Sequence, residues 1–444
     1  MPSPPHIFRT LIAIAILALV GCGGGGAGTA LPATHDDPPP TNGPRGAHGI
    51  DHIVIAIEEN RSFDNLFHGF PGADTVSSGK IHTGATVPLA MVPLAVPYDL
   101  RHHAADFTNA YDQGKMDGFD LEVGVGGPHL PEYAYVNPSD EQPYWSLAQR
   151  FTLGDRMFPS QIDTSYAAHQ YLIAAQSGGA VDVPTNIPWG CDAPAGTTVP
   201  MLGAGRALLP GPFPCFDYPT VGDELDKAGV SWRYYAPALN SGNGDYGGQI
   251  WVAYDAIRHI RFGQDWQTGI ASPETAFLTD VSNGRLAGVT WIAPAFLNSD
   301  HPGATSDGGP EWIAEIANAI GTSPFWNDTA LIVVWDDWGG WYDHVPPPQV
   351  DLHGLGIRVP LLVISPFAKH GYVSHVQYEF GSIVKFVETT FALAPLAAAD
   401  ERANGLDDCF NFAQIVRPFV RIRTQHPARA LLREPPTSRP PDDD

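Results

Sequence analysis

Basic residues are scarce in this chain of 444 residues. Lysine and arginine together number 24 against 48 acidic residues, which leaves a formal net charge of −24. Because nucleic-acid backbones bind to basic surfaces, this composition argues against a nucleic-acid partner. It argues equally against docking on anionic lipid through surface charge. The acidity itself is typical of a solvated, soluble protein surface.

Cysteine is also scarce, with four residues in the whole chain. No Cys-x-x-Cys pair and no Cys/His spacing typical of a zinc site occurs. Cys191 and Cys215 bracket a stretch rich in proline and glycine, so a disulfide between them would close a loop, and export would permit it. Cys409 is then left over, and we expect it to be a buried free thiol.

The N-terminal apolar run is short. It extends from Leu11 to Val20, and about ten apolar residues fit the h-region of a signal peptide but not a membrane span. The run ends in Leu-Val-Gly-Cys, which resembles the lipobox of bacterial lipoproteins. We therefore predict a signal peptide over residues 1–21 and a lipidated Cys22 that anchors the protein in the cell envelope. An ordinary cleaved signal would instead make the protein periplasmic or secreted.

Composition also delimits the folded part of the chain. Residues 22–48 are rich in glycine and proline and are predicted to be a disordered tether, and residues 431–444 a disordered tail. No internal repeat or long linker lies between them, so we expect one globular domain over residues 49–430.

Three motifs of other protein classes are missing. The chain lacks the Gly-x-Ser-x-Gly elbow of α/β-hydrolases and the Gly-rich Lys loop of nucleotide-binding proteins. It also lacks the Cys-x-Pro-x-Arg sequence of sulfatases, which disfavours cleavage of sulfate esters through a formylglycine.

Short apolar runs alternate with helical patterns along the chain. Four runs read as buried strands, and a fifth, Val230–Tyr235, alternates more and is expected nearer an edge. The four are His52–Ile57, Val289–Ala293, Ala330–Trp335 and Val359–Ile364. Helical patterns fall over Ser165–Ser177, Glu311–Ile320 and Ser382–Phe391. The alternation predicts an α/β fold, doubly wound, with a mainly parallel central sheet and helices on both faces.

Acidic and amide side chains follow two of these strands directly. The first strand continues into Glu-Glu-Asn-Arg-Ser-Phe-Asp over residues 58–64, and the third into Asp-Asp-Trp-Gly-Gly-Trp-Tyr-Asp-His over residues 336–344. Ligands of parallel sheets bind beyond the carboxyl ends of the strands, and carboxylate and amide oxygens suit divalent cations. Helix caps and surface turns are the alternative explanation for either cluster alone.

Four segments together resemble a known family. They read DHIVIAIEENRSFDNLFHGFPGAD, GKMDGF, WDDWGGWYDHVPPP and RVPLLVISPFAKHGYVSHVQYEFGSIVKFVE, and they are spread over about residues 50–390, most of the mature chain. They are similar to the bacterial phosphoesterase family of phospholipases C and acid phosphatases, within the alkaline-phosphatase-like superfamily. The resemblance implies the same doubly wound fold and a metal-dependent active site.

The resemblance also implies site residues. The family's metal ligands match Glu59, Asn60, Asp336 and Asp337. Its catalytic histidines match His102 (with the neighbouring His103 as an alternative), His301 and His344. Two further histidines, His169 and His375, lie close to matched segments, and we interpret both as structural residues or as residues that support the ligands from behind them.

The nucleophile is expected at the start of the helix predicted over Ser165–Ser177. The family places a Thr or Ser before a Pro-Asn-Arg segment that this chain lacks, and alignment on Tyr171-Leu172 puts Ser165 at that position, with Thr164 as the alternative. A hydroxyl at a helix N-terminus lies where backbone N–H groups and the helix dipole stabilise a phosphate. Either residue would also suit a simple N-cap.

These observations predict a hydrolase of phosphate esters that uses a divalent ion (Mg, Ca, Mn or Zn) and forms a phospho-seryl intermediate. The metal is expected in an all-oxygen cage. The substrate is a phosphate monoester or a phospholipid, and the segment 183–250 is expected to shape the mouth of the pocket. The alternative is a catalytically inactive surface lipoprotein that binds a ligand or partner on the same scaffold.

Overall fold

The structure is a computed structural model of the chain. It describes residues 1–2, 44–122, 127–162, 164–239, 245–425 and 428–431. The predicted signal peptide, Cys22, most of the tether and nearly all of the tail therefore lie outside the described residues. Within the described part, no helix is long and apolar enough to cross a membrane.

Fifteen strands are present in the described residues. They are β1 (His52–Glu58), β2 (Ser78–Lys80), β3 (Thr86–Pro88), β4 (Ala90–Val92), β5 (Ala134–Val136), β6 (Thr152–Phe158), β7 (Met201–Leu202), β8 (Leu208–Leu209), β9 (Trp232–Tyr235), β10 (Ile270–Ala271), β11 (Val289–Ile292), β12 (Thr329–Trp335), β13 (Val359–Ile364), β14 (Tyr372–Ser374) and β15 (Tyr378–Glu379).

Nine of these strands form the central sheet. Their order is β10-β9-β11-β1-β12-β13-β6-β14, and the short β15 also pairs with β6. All run parallel except β13, which is antiparallel to both of its neighbours. The remaining strands form three two-stranded ribbons. The predicted mainly parallel α/β sheet is confirmed, as is the position of β9 close to an edge.

Thirteen α-helices are described. They are α1 (Phe63–Leu66), α2 (Ala104–Tyr111), α3 (Gln142–Arg150), α4 (Ser165–Ala174), α5 (Val221–Ala228), α6 (Gly247–Ile250), α7 (Arg258–Arg261), α8 (Gln264–Gly269), α9 (Ala276–Ser282), α10 (Gly309–Gly321), α11 (Phe380–Phe391), α12 (Ala398–Arg402) and α13 (Ala428–Leu431). Helix α10 packs against α3, α9 and α13. Helix α11 packs against α4, α5 and α12.

Burial along the central strands explains why helices surround the sheet. Every residue of β11, β12 and β13 is buried, as is β1 beyond His52. A strand exposes alternate residues on opposite faces, so a run buried at every position requires cover on both. The apolar runs in the sequence therefore predict both the strands and the two helical layers.

Strand β6 was not anticipated from the sequence. It contains Asp155 and Arg156, which interrupt the apolar pattern, yet Asp155 is fully buried. Its carboxylate accepts hydrogen bonds from the backbone N–H of Asp74 (2.9 Å) and from the His375 ring (2.8 Å). A buried carboxylate with such partners is tolerated inside a sheet, and sequence periodicity gives no sign of the partners.

Both cysteine predictions are confirmed. Cys191 and Cys215 form a disulfide that closes a loop over a sequence separation of 24. Cys409 is a buried free thiol, and its burial raises its pKa to about 12. The thiol is therefore an inert packing group.

Candidate active site

The four predicted metal ligands meet where the neighbouring strands β1 and β12 end. The backbone N–H of Asp336 donates to the carbonyl of Glu58 (2.9 Å), and that of Arg61 donates to the carbonyl of Asp337 (3.1 Å). These bonds continue the parallel pairing past the last strand residues and hold the two loops together. Glu59, Asn60, Asp336 and Asp337 are all fully buried as a result.

The close approach of these two loops depends on one glycine. Gly339 has a positive φ of 56°, and a Cβ there would lie 2.1 Å from the carbonyl oxygen of Asn60. Asn60 itself has a φ of 62°, and its N–H donates to Asp336 Oδ1 at 3.0 Å. Strained backbone of this kind is typical of functional sites.

Two of the predicted histidines face the same amide. His102 Nε2 and His301 Nε2 each lie 3.1 Å from Asn60 Nδ2. Their Nδ1 atoms contact backbone carbonyls, that of Leu100 at 2.8 Å for His102 and that of Pro302 at 2.6 Å for His301. Because a carbonyl can only accept, Nδ1 carries the proton of a neutral ring, and Nε2 presents its lone pair to the site.

Ser165 is the first residue of α4, in the connection that follows β6. Its hydroxyl donates to Glu59 Oε2 at 3.4 Å, and the side chain is buried. Thr164 occupies the N-cap position, but among the described residues its side chain caps nothing and its buried Oγ1 has no hydrogen-bond partner. The contact with Glu59 distinguishes Ser165 from Thr164 as the hydroxyl in the cluster.

His169 also lies in this cluster, beside the predicted ligands Glu59 and Asp336. Its Nε2 lies 2.9 Å from Glu59 Oε1 and 3.8 Å from Asp336 Oδ2. It stands four residues after Ser165 on α4, a spacing that places both side chains on one face of a helix. That spacing was the signal in the sequence, and it needed the helix boundary to be recognised.

The cluster is strongly perturbed electrostatically. Burial, and then the nearby Asp336 and Asp337 carboxylates, hold the pKa of Glu59 well above its usual range. Burial and Asp336 raise the pKa of Asp337 to about 7. Burial lowers the pKa of His169 to about 4. Several carboxylates crowded away from water require a compensating cation or bound protons.

The residues present fit a divalent cation. Glu59, His169 and Asp336 each offer one ligand atom, and these atoms all lie within 4.8 Å of one another. Asn60 Oδ1, Asp336 Oδ2 and Asp337 Oδ2 are buried and have no hydrogen-bond partner in the part of the chain that the structure describes. The imidazole makes this a mixed nitrogen and oxygen set, rather than the all-oxygen cage that the sequence suggested, and such a set suits Zn or Mn as well as harder ions.

His344, the third predicted histidine, has other partners than His102 and His301 among the described residues. Its Nδ1 lies 2.6 Å from Asp64 Oδ2, and its Nε2 lies 3.2 Å from Asp74 Oδ1. The nearby Arg358 is fully buried and contacts Asp343 (3.0 Å) and Asp64 (3.3 Å). Asp64, Asp343 and His344 offer a second group of ligand atoms within 4.8 Å of one another, but Arg358 already pairs with both carboxylates of this second cluster.

A pocket opens beside the cluster at His169. Helix α4 contributes Tyr166, His169 and Gln170 to its lining. The predicted insert contributes residues 188–190, 192, 239 and 248–250, which include Trp189. The disulfide holds part of this wall in place, since Cys191 lies between two lining residues. The segment 183–250 therefore borders the site, as the sequence predicted.

The comparison with known proteins decides the family. The model of the phosphoesterase family matches residues 50–394. The chain belongs to the phosphoesterase family. Phosphoric ester hydrolysis is the class of reaction that this membership supports.

Several relatives of this phosphoesterase are phospholipases C. It is 26% identical to the non-hemolytic phospholipase C of Burkholderia pseudomallei over 82% of this chain and 59% of that protein. It is 26% identical to phospholipase C A of Mycobacterium tuberculosis over 82% of this chain and 78% of that protein. Identity to non-specific phospholipase C4 of Arabidopsis thaliana is also 26%, over 80% and 70% of the two chains. The phosphoesterase thus spans about three fifths of the Burkholderia enzyme.

Solved structures show a looser likeness to this phosphoesterase. A protein of the alkaline phosphatase superfamily from Vibrio parahaemolyticus matches with a TM-score of 0.38 and 11% sequence identity. The match covers 86% of this chain and 76% of that one.

Proposed function

We propose that this protein is a metal-dependent hydrolase of phosphate esters with Ser165 as its nucleophile. One observation carries the proposal: the Ser165 hydroxyl contacts Glu59 inside a buried cluster of carboxylates. Such a cluster without a compensating cation would cost folding stability, so its presence favours a function.

Glu59, Asn60, Asp336 and Asp337 would hold the metal, and His169 would add a nitrogen ligand. When bound, a divalent ion lowers the pKa of the nucleophile and neutralises charge on the phosphate. Glu59 Oε2 positions the Ser165 hydroxyl, while Glu59 Oε1 faces His169. The N-terminus of α4 offers backbone N–H groups and a favourable dipole to the phosphate.

The reaction then proceeds in two displacements. Ser165 Oγ forms a bond to phosphorus while the bond from phosphorus to the leaving oxygen breaks, and Glu59 Oε2 accepts the hydroxyl proton. His102 and His301, once protonated at Nε2, donate to phosphate oxygens, and one of them protonates the leaving alkoxide. Water then attacks phosphorus and gives a proton to the histidine that protonated the alkoxide, the Oγ–P bond breaks, and Ser165 takes back the proton held on Glu59 Oε2.

The nucleophile is tested with p-nitrophenyl phosphate and p-nitrophenyl phosphorylcholine, each with several divalent metals and with a chelator. We expect Ser165→Ala to lose at least about a thousandfold in kcat, whereas Thr164→Val keeps most of its activity. The chelator should abolish turnover, and added metal should restore it.

Three results would contradict the proposal in different ways. If Ser165→Ala keeps full activity and Thr164→Val loses it, Thr164 is the nucleophile. Unchanged turnover in the presence of the chelator would show that the reaction does not need a metal ion. No turnover of either reporter with any metal would favour the inactive binding protein instead.

The proposed substrate is a phospholipid, because the relatives named above are phospholipases C. A phosphate monoester is the second candidate. The ratio of kcat/KM for the phosphorylcholine diester to that for the monoester decides between them, and we expect the diester to be favoured.

We also propose that Cys22 is lipidated and anchors the enzyme in the cell envelope. The basis is the Leu-Val-Gly-Cys ending of the N-terminal apolar run. Cys22→Ser should shift the protein from the membrane fraction to the soluble fraction without changing kcat on a soluble ester. Retention of the Cys22→Ser protein in the membrane fraction would rule out this anchor.

A further inference from the structure

Four exposed aliphatic side chains lie on two loops that are held side by side. Leu208 and Leu209 form β8 of the β7–β8 ribbon and are 46% and 49% exposed. Val350 and Leu352 are 44% and 41% exposed. Arg206 of the ribbon joins the loops, since its Nε donates to the carbonyl of Leu352 at 3.0 Å and its guanidinium also contacts Gln349. We call these four side chains the rim patch.

Both loops connect to the candidate active site. Leu202 of the ribbon packs on a small apolar cluster that contains Ile162, Trp338 and Ile357. Ile162 lies three residues before Ser165, and Trp338 follows Asp337 directly. The backbone N–H of Gly356, at the end of the second loop, donates to the carbonyl of Pro159 at 2.9 Å. The rim patch therefore lies at the edge of the sheet that carries the site.

The charge around the rim patch favours a phosphate-bearing surface. Arg206 contacts only neutral acceptors, and no ion pair to it occurs within the described residues. The one acidic residue between Val350 and Leu352 is Asp351, and Arg402 already pairs with it. A guanidinium between exposed aliphatic side chains combines a phosphate donor with groups that enter the acyl boundary.

We propose that the rim patch docks this enzyme on the surface of a phosphatidylcholine bilayer, so that a lipid headgroup can reach Ser165. The inference rests on the proposed activity toward phospholipids. The net charge of −24 opposes binding to anionic membranes. Insertion of apolar side chains with a single cation suits a zwitterionic surface instead.

The test uses the full chain with Cys22→Ser in every variant, so that a lipid anchor cannot contribute. Sedimentation with phosphatidylcholine vesicles measures binding, and p-nitrophenyl phosphorylcholine in solution measures catalysis. We expect Leu208→Ser/Leu209→Ser to weaken vesicle binding about tenfold or more, because two exposed leucines no longer leave water. Its kcat/KM on the soluble ester should stay unchanged, and its hydrolysis of vesicle lipid should fall with its binding.

Ile415→Ser/Val420→Ser is the matched control. These residues are 89% and 66% exposed, and the neighbouring Phe419 packs on Trp326 and Phe151, just before the first residues of β12 and β6. They are therefore at the opposite edge of the sheet, and their replacement should leave vesicle binding unchanged. Added phosphatidylglycerol should weaken binding of the parent protein.

Several outcomes would overturn the proposal. Vesicle binding that survives Leu208→Ser/Leu209→Ser, or that falls equally in the control, would show that the rim patch is not the docking surface. A dimer in solution that this variant dissociates would identify a self-association surface instead. If the soluble ester is not hydrolysed at all, the proposed function fails, but vesicle binding still reports on the rim patch by itself.

Discussion

The two carboxylate oxygens of Glu59 have different partners. Oε1 faces His169, and Oε2 accepts from Ser165. Glu59 was predicted as a metal ligand because it follows a buried strand, and the structure adds that it contacts both Ser165 and His169 of α4. At the scale of single residues, α4 therefore contributes more to the site than the sequence indicated.

We predict that His169→Ala weakens metal binding. Loss of the imidazole removes one nitrogen from the set and leaves Glu59 Oε1 without its partner, and changes of this kind cost roughly 10- to 100-fold in affinity. Calorimetric titration with metal measures the effect. His82→Ala is the control, since that ring lies on the surface against Asp120. Equal metal affinities in the parent and His169→Ala proteins would show that His169 is not a metal ligand.

At the scale of elements, the direction of β13 shows what the sequence pattern left open. No α-helix lies between β12 and β13. Parallel neighbours need a crossover, usually helical, whereas an antiparallel pair does not. The missing helical pattern between these two runs was thus a usable signal. The connection instead carries Asp337, Asp343 and Arg358, and its ion pairs with Asp64 hold it against α1.

Arg358→Met should destabilise the fold severely. The substitution leaves Asp343 buried without a cation and Asp64 with His344 alone, and breaking a buried pair in this way costs about 3–5 kcal/mol. Urea unfolding of the parent and variant measures the difference in free energy. Arg45→Met is the control, because that side chain is 91% exposed and only 4.0 Å from its partner. A loss no larger than in the control would mean that the network contributes little to stability.

At the scale of the whole molecule, the fold buries part of an excess of negative charge. The chain carries twice as many acidic as basic residues. Most of this charge is an ordinary solvated surface, but the cluster around Glu59 is fully buried. Stability of the whole fold should therefore respond to metal, and in part to pH, through this site.

Without metal, the protein should lose stability as the pH rises. The pKa of Asp337 is 3.8 in its ordinary state and about 7 here, so the folded state holds a proton between these values that the unfolded state has released. This contribution is complete at low pH and is lost as the pH rises through about 7.

Bound metal should reverse that trend, because it binds the ionised carboxylates. At a hundredfold excess over its Kd, a metal that binds only the folded state stabilises it by about 2.7 kcal/mol. Thermal unfolding with chelator and with Mg, Mn or Zn at about pH 6 and about pH 8 checks both statements, and the metal effect should be larger at the higher pH. If the stabilisation by metal does not depend on pH, the metal binds at a place other than the Glu59 cluster.

The sequence by itself determined the α/β class, the central strands and the residues that follow β1 and β12. Those features are local, because apolar periodicity and strand ends depend on neighbours along the chain. It also pointed to the phosphoesterase family through motifs spread over most of the chain. Only the tertiary structure showed that His169 contacts Glu59, that His344 contacts Asp64, and that β6, with its buried Asp155, lies inside the sheet. Each of these depends on a partner about 80 or more residues away, and burial of a charge is decided by that partner.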